Sequence, residues 1–132
     1  ECMAEDFESQ YVPKVFEDVV KQFLLRENQA GRMAPPFFKI GSYGLDLPKE
    51  RLSCEFGVVT EGADGFVVYE CDFQERPMTQ EQVAEKIERV KASPLPAYRF
   101  GFVARAGFDH VLEGPDRRFY DLDDLYRERR ML

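Results

Sequence analysis

Tryptophan is absent from this 132-residue chain, histidine occurs once and cysteine three times. With His110 alone and no Cys-x-x-Cys pair, the usual ligand sets of a zinc site are missing. The cysteines are Cys2, Cys54 and Cys71, an odd number without close spacing, which points to reduced thiols and a cytoplasmic setting. Cys54 and Cys71 fall in apolar segments, where a thiol is more often a small core residue than a metal ligand. No apolar run approaches the roughly 20 residues of a membrane-spanning helix, so no membrane association is expected. The acidic opening Glu1-Cys2-Met3-Ala4-Glu5-Asp6 lacks the basic start of a secretory signal. Gly-x-x-x-x-Gly-Lys-Ser/Thr does not occur, so this stretch is not itself a P-loop ATPase.

Basic residues are in the minority. Against 25 Asp and Glu stand 18 Lys and Arg, a net charge of −7, which counts against a nucleic-acid grip built on phosphate neutralisation. Arg117, Arg118, Arg127, Arg129 and Arg130 gather near the C-terminus, but Asp121, Asp123, Asp124 and Glu128 interleave them, as on a solvated mixed-charge surface.

What is present is enough for one domain. The chain is 44% apolar, with 12 Phe and 6 Tyr whose rings suit a sheet-lined core. Residues 1–8 are expected to be a lead-in, and the missing initiator methionine points to a piece of a longer polypeptide. Residues 9–132 are expected to form a single α/β domain. From Ser9 to Arg26, Val12, Val15, Phe16, Val19, Val20, Phe23 and Leu24 recur at three- and four-residue steps, the stripe of an amphipathic helix. Pro13 fits only the first turn, so the helix should begin near Val12.

Three apolar runs follow: Phe37–Ile40, ended by Gly41 and Gly44, then Ser53–Thr60 and Gly65–Phe73. Glu61-Gly62-Ala63-Asp64-Gly65 reads as the turn of an antiparallel hairpin between the last two. Thr79 and Gln82 form a capping-box pattern for a helix to about Ala92, with Val83, Ile87 and Val90 facing the sheet. Tyr98–Ala104 is a fourth strand, and Asp121 caps a short final helix carrying Leu122, Leu125 and Tyr126. The expected order is α-β-β-β-α-β-α. A strand reached through a helix joins parallel to the third. The expectation is a mixed sheet with the first helix on one face and the second beside it.

That order resembles the restriction-endonuclease-like αβββαβ core, the PD-(D/E)XK superfamily. A closer resemblance covers about residues 9–126. Tyr11-Val12-Pro13-Lys14-Val15-Phe16-Glu17 resembles the (Y/F)-x-G-x-x-F-E opening of a C-terminal domain of unknown function in archaeal and bacterial P-loop ATPases. Glu55-Phe56-Gly57-Val58-Val59 stands where that family often reads E-I-D-x-V, and Glu70-Cys71-Asp72-Phe73 where it reads E-C-K-W. Ala106-Gly107-Phe108 resembles its hydrophobic-Gly-Phe step after the last strand.

The resemblance implies two acids that hold a divalent metal and a Lys that positions water, the hard oxygen donors that Mg²⁺-assisted phosphodiester cleavage requires. Here the metal-binding Asp falls on Gly57, which has no side chain, and the Lys on Asp72, which reverses the charge. Three rescues are open. Glu55, two residues from Gly57, shares its face on an ideal strand and stands in if a bulge or register shift allows. Asp72 joins Glu70 and Glu17 as a ligand. Lys86 on the second helix supplies the missing Lys, with Gln82 also in reach. The plainer alternative is that Glu17 is a solvated or ion-paired helix position, Glu70 a remnant held by an Arg or Lys, Glu85 and Lys86 part of the charged face of a surface helix, and His110 a loop or surface residue.

Three functional expectations result. The first is a catalytically inactive, nuclease-like binding or regulatory module of an AAA+/P-loop ATPase-type protein. It needs no cofactor, and its partner is the N-terminal ATPase domain of the same chain. The second is a Mg²⁺- or Mn²⁺-dependent DNA nuclease with a relocated site of Glu70, Asp72, Glu17 and Lys86, the metal held by Glu55, Glu70 and Asp72. The third is a dimerisation unit exposing Phe37–Ile40 or Tyr98–Ala104.

Overall fold

The computed structural model describes residues 12–47, 49 and 52–131; the expected lead-in and Cys2 lie outside them. Helix α1 spans Val12–Gln29, so the break comes where Pro13 required. Strand β1 is Phe37–Leu47, β2 Leu52–Gly62 and β3 Gly65–Asp72. A two-residue strand β4 (Met78–Thr79) leads into α2 (Gln80–Ala92), and β5 is Ala97–Ala104. The chain then forms β6 (Phe108–Asp109), β7 (Arg117–Tyr120) and α3 (Leu122–Met131).

The main sheet is five-stranded, in the order β1-β2-β3-β5-β7. β1, β2 and β3 run antiparallel, whereas β5 lies parallel to β3 and β7 parallel to β5. β4 and β6 make a separate parallel pair. The αβββαβ order in a mixed α/β sheet flanked by helices is therefore the fold.

Local chemistry accounts for the boundaries. The Thr79 side chain accepts from the Gln82 backbone N–H, and Gln82 returns a bond to the Thr79 N–H, closing the capping box. Asp121 and Asp124 exchange the same reciprocal pair at 3.0 Å at the start of α3. Asn28, near the end of α1, both donates to the Phe37 carbonyl at 2.8 Å and accepts from its N–H at 3.0 Å, tying the helix to the first strand.

Three expectations need correction. α2 does not lie beside α1; the two helices cover opposite faces. Val58, Tyr69 and Val103 pack with Phe16, Val20, Phe23 and Leu24 of α1, while Phe56, Val68, Phe100 and Phe102 pack with Val83, Ile87 and Val90 of α2. The neighbours Val68 and Tyr69 are both almost fully buried on opposite sides, so each face of β3 needs its own cover. β1 does not stop at Gly41. Gly41 and Gly44 are paired with Val59 and Glu55, because pairing with a long partner overrides the weak strand preference of glycine. Finally, β7 forms where a loop was expected. Its four residues lie in a mixed-charge stretch without apolar alternation, and pairing with β5 alone makes them a strand.

One irregularity governs the site. Gly41 pairs with Val59 but Tyr43 with Phe56, so β2 holds an extra residue at Gly57–Val58. This bulge sends Phe56 to the α2 side and Val58 to the α1 side, although strict alternation would put both on one face.

Candidate functional site

On the α1 side, Glu17 reaches from the helix over β2. A Cβ built on Gly57 would overlap the Glu17 carboxyl group, so the space a side chain would occupy at Gly57 is filled by a helix carboxylate. Glu17 is half-buried and its pKa is raised, chiefly by loss of water and then by the negative charge of Glu55, with Lys21 and Lys14 opposing. Glu55 itself is exposed. The Cys71 thiol faces the same side, and burial first, then Glu17 and Glu70, push its pKa up. A thiol held protonated in this way is no nucleophile.

On the α2 side stands Glu70. Its side chain is 14% exposed, and Oε2 lies 3.9 Å from Lys86 Nζ. Oε1 is buried without a hydrogen-bond partner. Burial raises the Glu70 pKa, and the charges of Lys86 and Arg89 lower it in part. Asp72, two residues on, turns to its own chain: Oδ1 accepts from the Gln74 N–H at 3.2 Å. Gln74 donates to Gln82, which already serves the capping box. Arg89 lies over the Phe56 ring at 5.5 Å and donates to the Glu55 carbonyl at 2.9 Å, pinning the strand just before the bulge.

The family-level comparison joins this geometry here. The profile of DUF234, described as "Archaea bacterial proteins of unknown function", matches residues 1–88. The chain belongs to the DUF234 family. No curated protein and no solved structure gives a significant match. The matched span contains Glu17, Glu55, Gly57, Glu70, Asp72 and Lys86.

In this DUF234 domain the candidate residues divide into two groups. Glu70 meets Lys86. Glu17 meets Gly57 and feels Glu55. The sheet separates the two groups, so the four acids do not converge. Among the described residues no group of three or more His, Cys, Asp and Glu side chains is placed to hold a metal ion. A divalent cation such as Mg²⁺ is held by one or two carboxylates with water completing its shell, and here Glu17 and Glu55 stand on one face of the sheet and Glu70 and Asp72 on the other. The bulge in β2 leaves Glu55 exposed on the α1 side, away from Glu70.

His110 is a surface residue in the left-handed region (φ 51°), its side chain 96% exposed beside Asp109. Sequence reasoning missed Arg89. Nothing in the helix pattern marks it, because its partners are an aromatic face and a backbone carbonyl 34 positions away.

Proposed function

We propose that this domain is a catalytically silent, nuclease-like module that binds or regulates a partner, the natural partner being an ATPase domain of the same polypeptide. The observation that carries the reading is the division of Glu17 and Glu55 from Glu70 and Asp72 by the sheet. Two further features support it. The Gly57 space is taken by the Glu17 carboxylate, and the buried Glu70 has a cation, Lys86, as its neighbour. The αβββαβ order supports kinship with restriction-endonuclease-like domains, whose chemistry needs acids gathered on one side.

The test is incubation of the purified protein with plasmid and single-stranded DNA in Mg²⁺ and in Mn²⁺, beside a Glu70→Ala variant. The expected result is intact DNA in every lane. Cleavage by the wild type that disappears in the variant would install the relocated-site nuclease instead.

A second reading, self-association, is favoured by one observation. β1 is one of the two edge strands of the sheet, the other being β7, and Phe38 on it is 67% exposed. The expectation that β5 also offers an edge is corrected, since β7 pairs along it.

A further inference from the structure

On the face of the sheet opposite to Glu70, two arginines share one acceptor. Arg99 lies on β5, and Arg118 on the parallel neighbour β7, where the register sets it beside Gly101. Arg99 and Gly101 alternate onto the same face, so both guanidinium groups rise from one patch. Arg99 Nη1 donates to the Ala34 carbonyl at 3.2 Å, and Arg118 Nη2 donates to that same oxygen. The two donating nitrogens therefore stand no farther apart than two hydrogen-bond lengths.

Each guanidinium carries five N–H donors, and Ala34 O is the only hydrogen-bond acceptor either one meets among the described residues. Neither is in ion-pair contact with a described carboxylate, although acidic residues outnumber basic ones 25 to 18 in this chain. Elsewhere Arg32, Arg117 and Lys86 each have a carboxylate neighbour, Glu27, Asp116 and Glu70. The pair lines a small cleft together with Pro36, Thr60 and Tyr69, the last two nearly fully buried. The Tyr69 ring fills the space over Gly101, where a Cβ would overlap it, and so builds a rigid wall beside Arg118.

Two like charges held this close repel, and a multivalent oxyanion removes the repulsion while using the idle donors in forked pairs. We propose that Arg99 and Arg118 form a binding site for a phosphate-class oxyanion, either free phosphate or the phosphomonoester of a larger ligand. A tetrahedral anion at the cleft takes one fork from each arginine, and the Ala34 carbonyl keeps the two heads oriented while the site is empty.

The test uses the whole chain. Thermal unfolding is followed in inorganic phosphate and in AMP, each against chloride at matched ionic strength, with the arginine Nε signals read by NMR. Saturable stabilisation is expected, with shifts confined to Arg99 and Arg118. Affinity is expected to fall by about tenfold in Arg118→Lys, which keeps the charge but loses the fork, and further in Arg99→Gln and Arg118→Gln. Arg117→Gln should bind as the wild type does. Tighter binding of AMP than of phosphate would identify a phosphomonoester ligand, and equal binding a free anion. The proposal is overturned if phosphate gives the wild type no saturable stabilisation, or if the Nε shifts spread to other arginines. It is equally overturned if the Arg99 and Arg118 variants keep full affinity.

Discussion

Glu70 shows how one residue can be read two ways and what decides between them. In sequence it stands where the resembled nuclease-like family carries an acid of its motif; in space it is a buried carboxylate with one oxygen near Lys86 and the other without a hydrogen-bond partner. Its pKa in the folded protein lies above the ordinary 4.5, because burial outweighs the help of Lys86 and Arg89. The sign of the linkage follows. The folded state binds the proton more tightly, so the contribution to stability is fully present below the ordinary carboxylate range and is lost as pH rises through the raised value. Glu17 acts in the same direction. Glu70→Gln should therefore flatten the pH dependence and stabilise the domain at neutral pH by on the order of 1 kcal/mol. Urea unfolding at pH about 4 and about 7 measures this; a variant that loses stability at the higher pH would mean that the ion pair with Lys86 outweighs burial.

At the scale of the element, the sheet contains two glycines, Gly57 and Gly101, whose missing side chains are replaced by the side chains of other residues, with different consequences. At Gly57 the intruder is the far end of a flexible glutamate, able to swing toward water. At Gly101 it is the ring of Tyr69, 2% exposed and fixed in the α1-side core. Gly57→Ala is expected to cost less than about 1 kcal/mol, and Gly101→Ala about 2–3 kcal/mol through overpacking. Chemical denaturation of the two variants would reverse this ranking only if the Glu17 carboxylate were held as firmly as the Tyr69 ring. The contrast bears on function, because a Gly57 that accepts a side chain is a position where the bulge and Glu17, not packing, exclude the acid.

On the scale of the whole molecule, the open questions are association and charge. β1 leaves an edge unpaired, yet that edge carries the exposed Lys39 and Asp46, and an extra residue at Phe38 disrupts its regular pairing with β2. Charges and bulges of this kind oppose edge-to-edge pairing, and the net charge of −7 adds repulsion between copies. Sedimentation equilibrium should return a constant monomer mass across concentrations. A mass that rises with concentration, and is restored to that of the monomer by Phe38→Lys, would move self-association to the front. No helix among the described residues is long and apolar enough to cross a membrane.

Much of this architecture was legible without coordinates, because local chemistry sets it. The stripe from Phe16 to Leu24, the Thr79–Gln82 capping box, the Gly62–Gly65 turn and the apolar run of β5 each announce an element through neighbours within a few positions. What the tertiary structure alone decided depends on partners far apart in the chain. An extra residue in β2 is defined only against β1, and it changes which face Phe56 and Val58 take. α2 reaches the far face because β3 and β5 are apolar on both sides. Glu17 settles over Gly57, and Arg99 meets Arg118 at Ala34, across separations that no periodicity records. A side chain's neighbours along the chain determine its secondary structure, whereas its place relative to a sheet is determined by pairing register, and register is a property of two strands together.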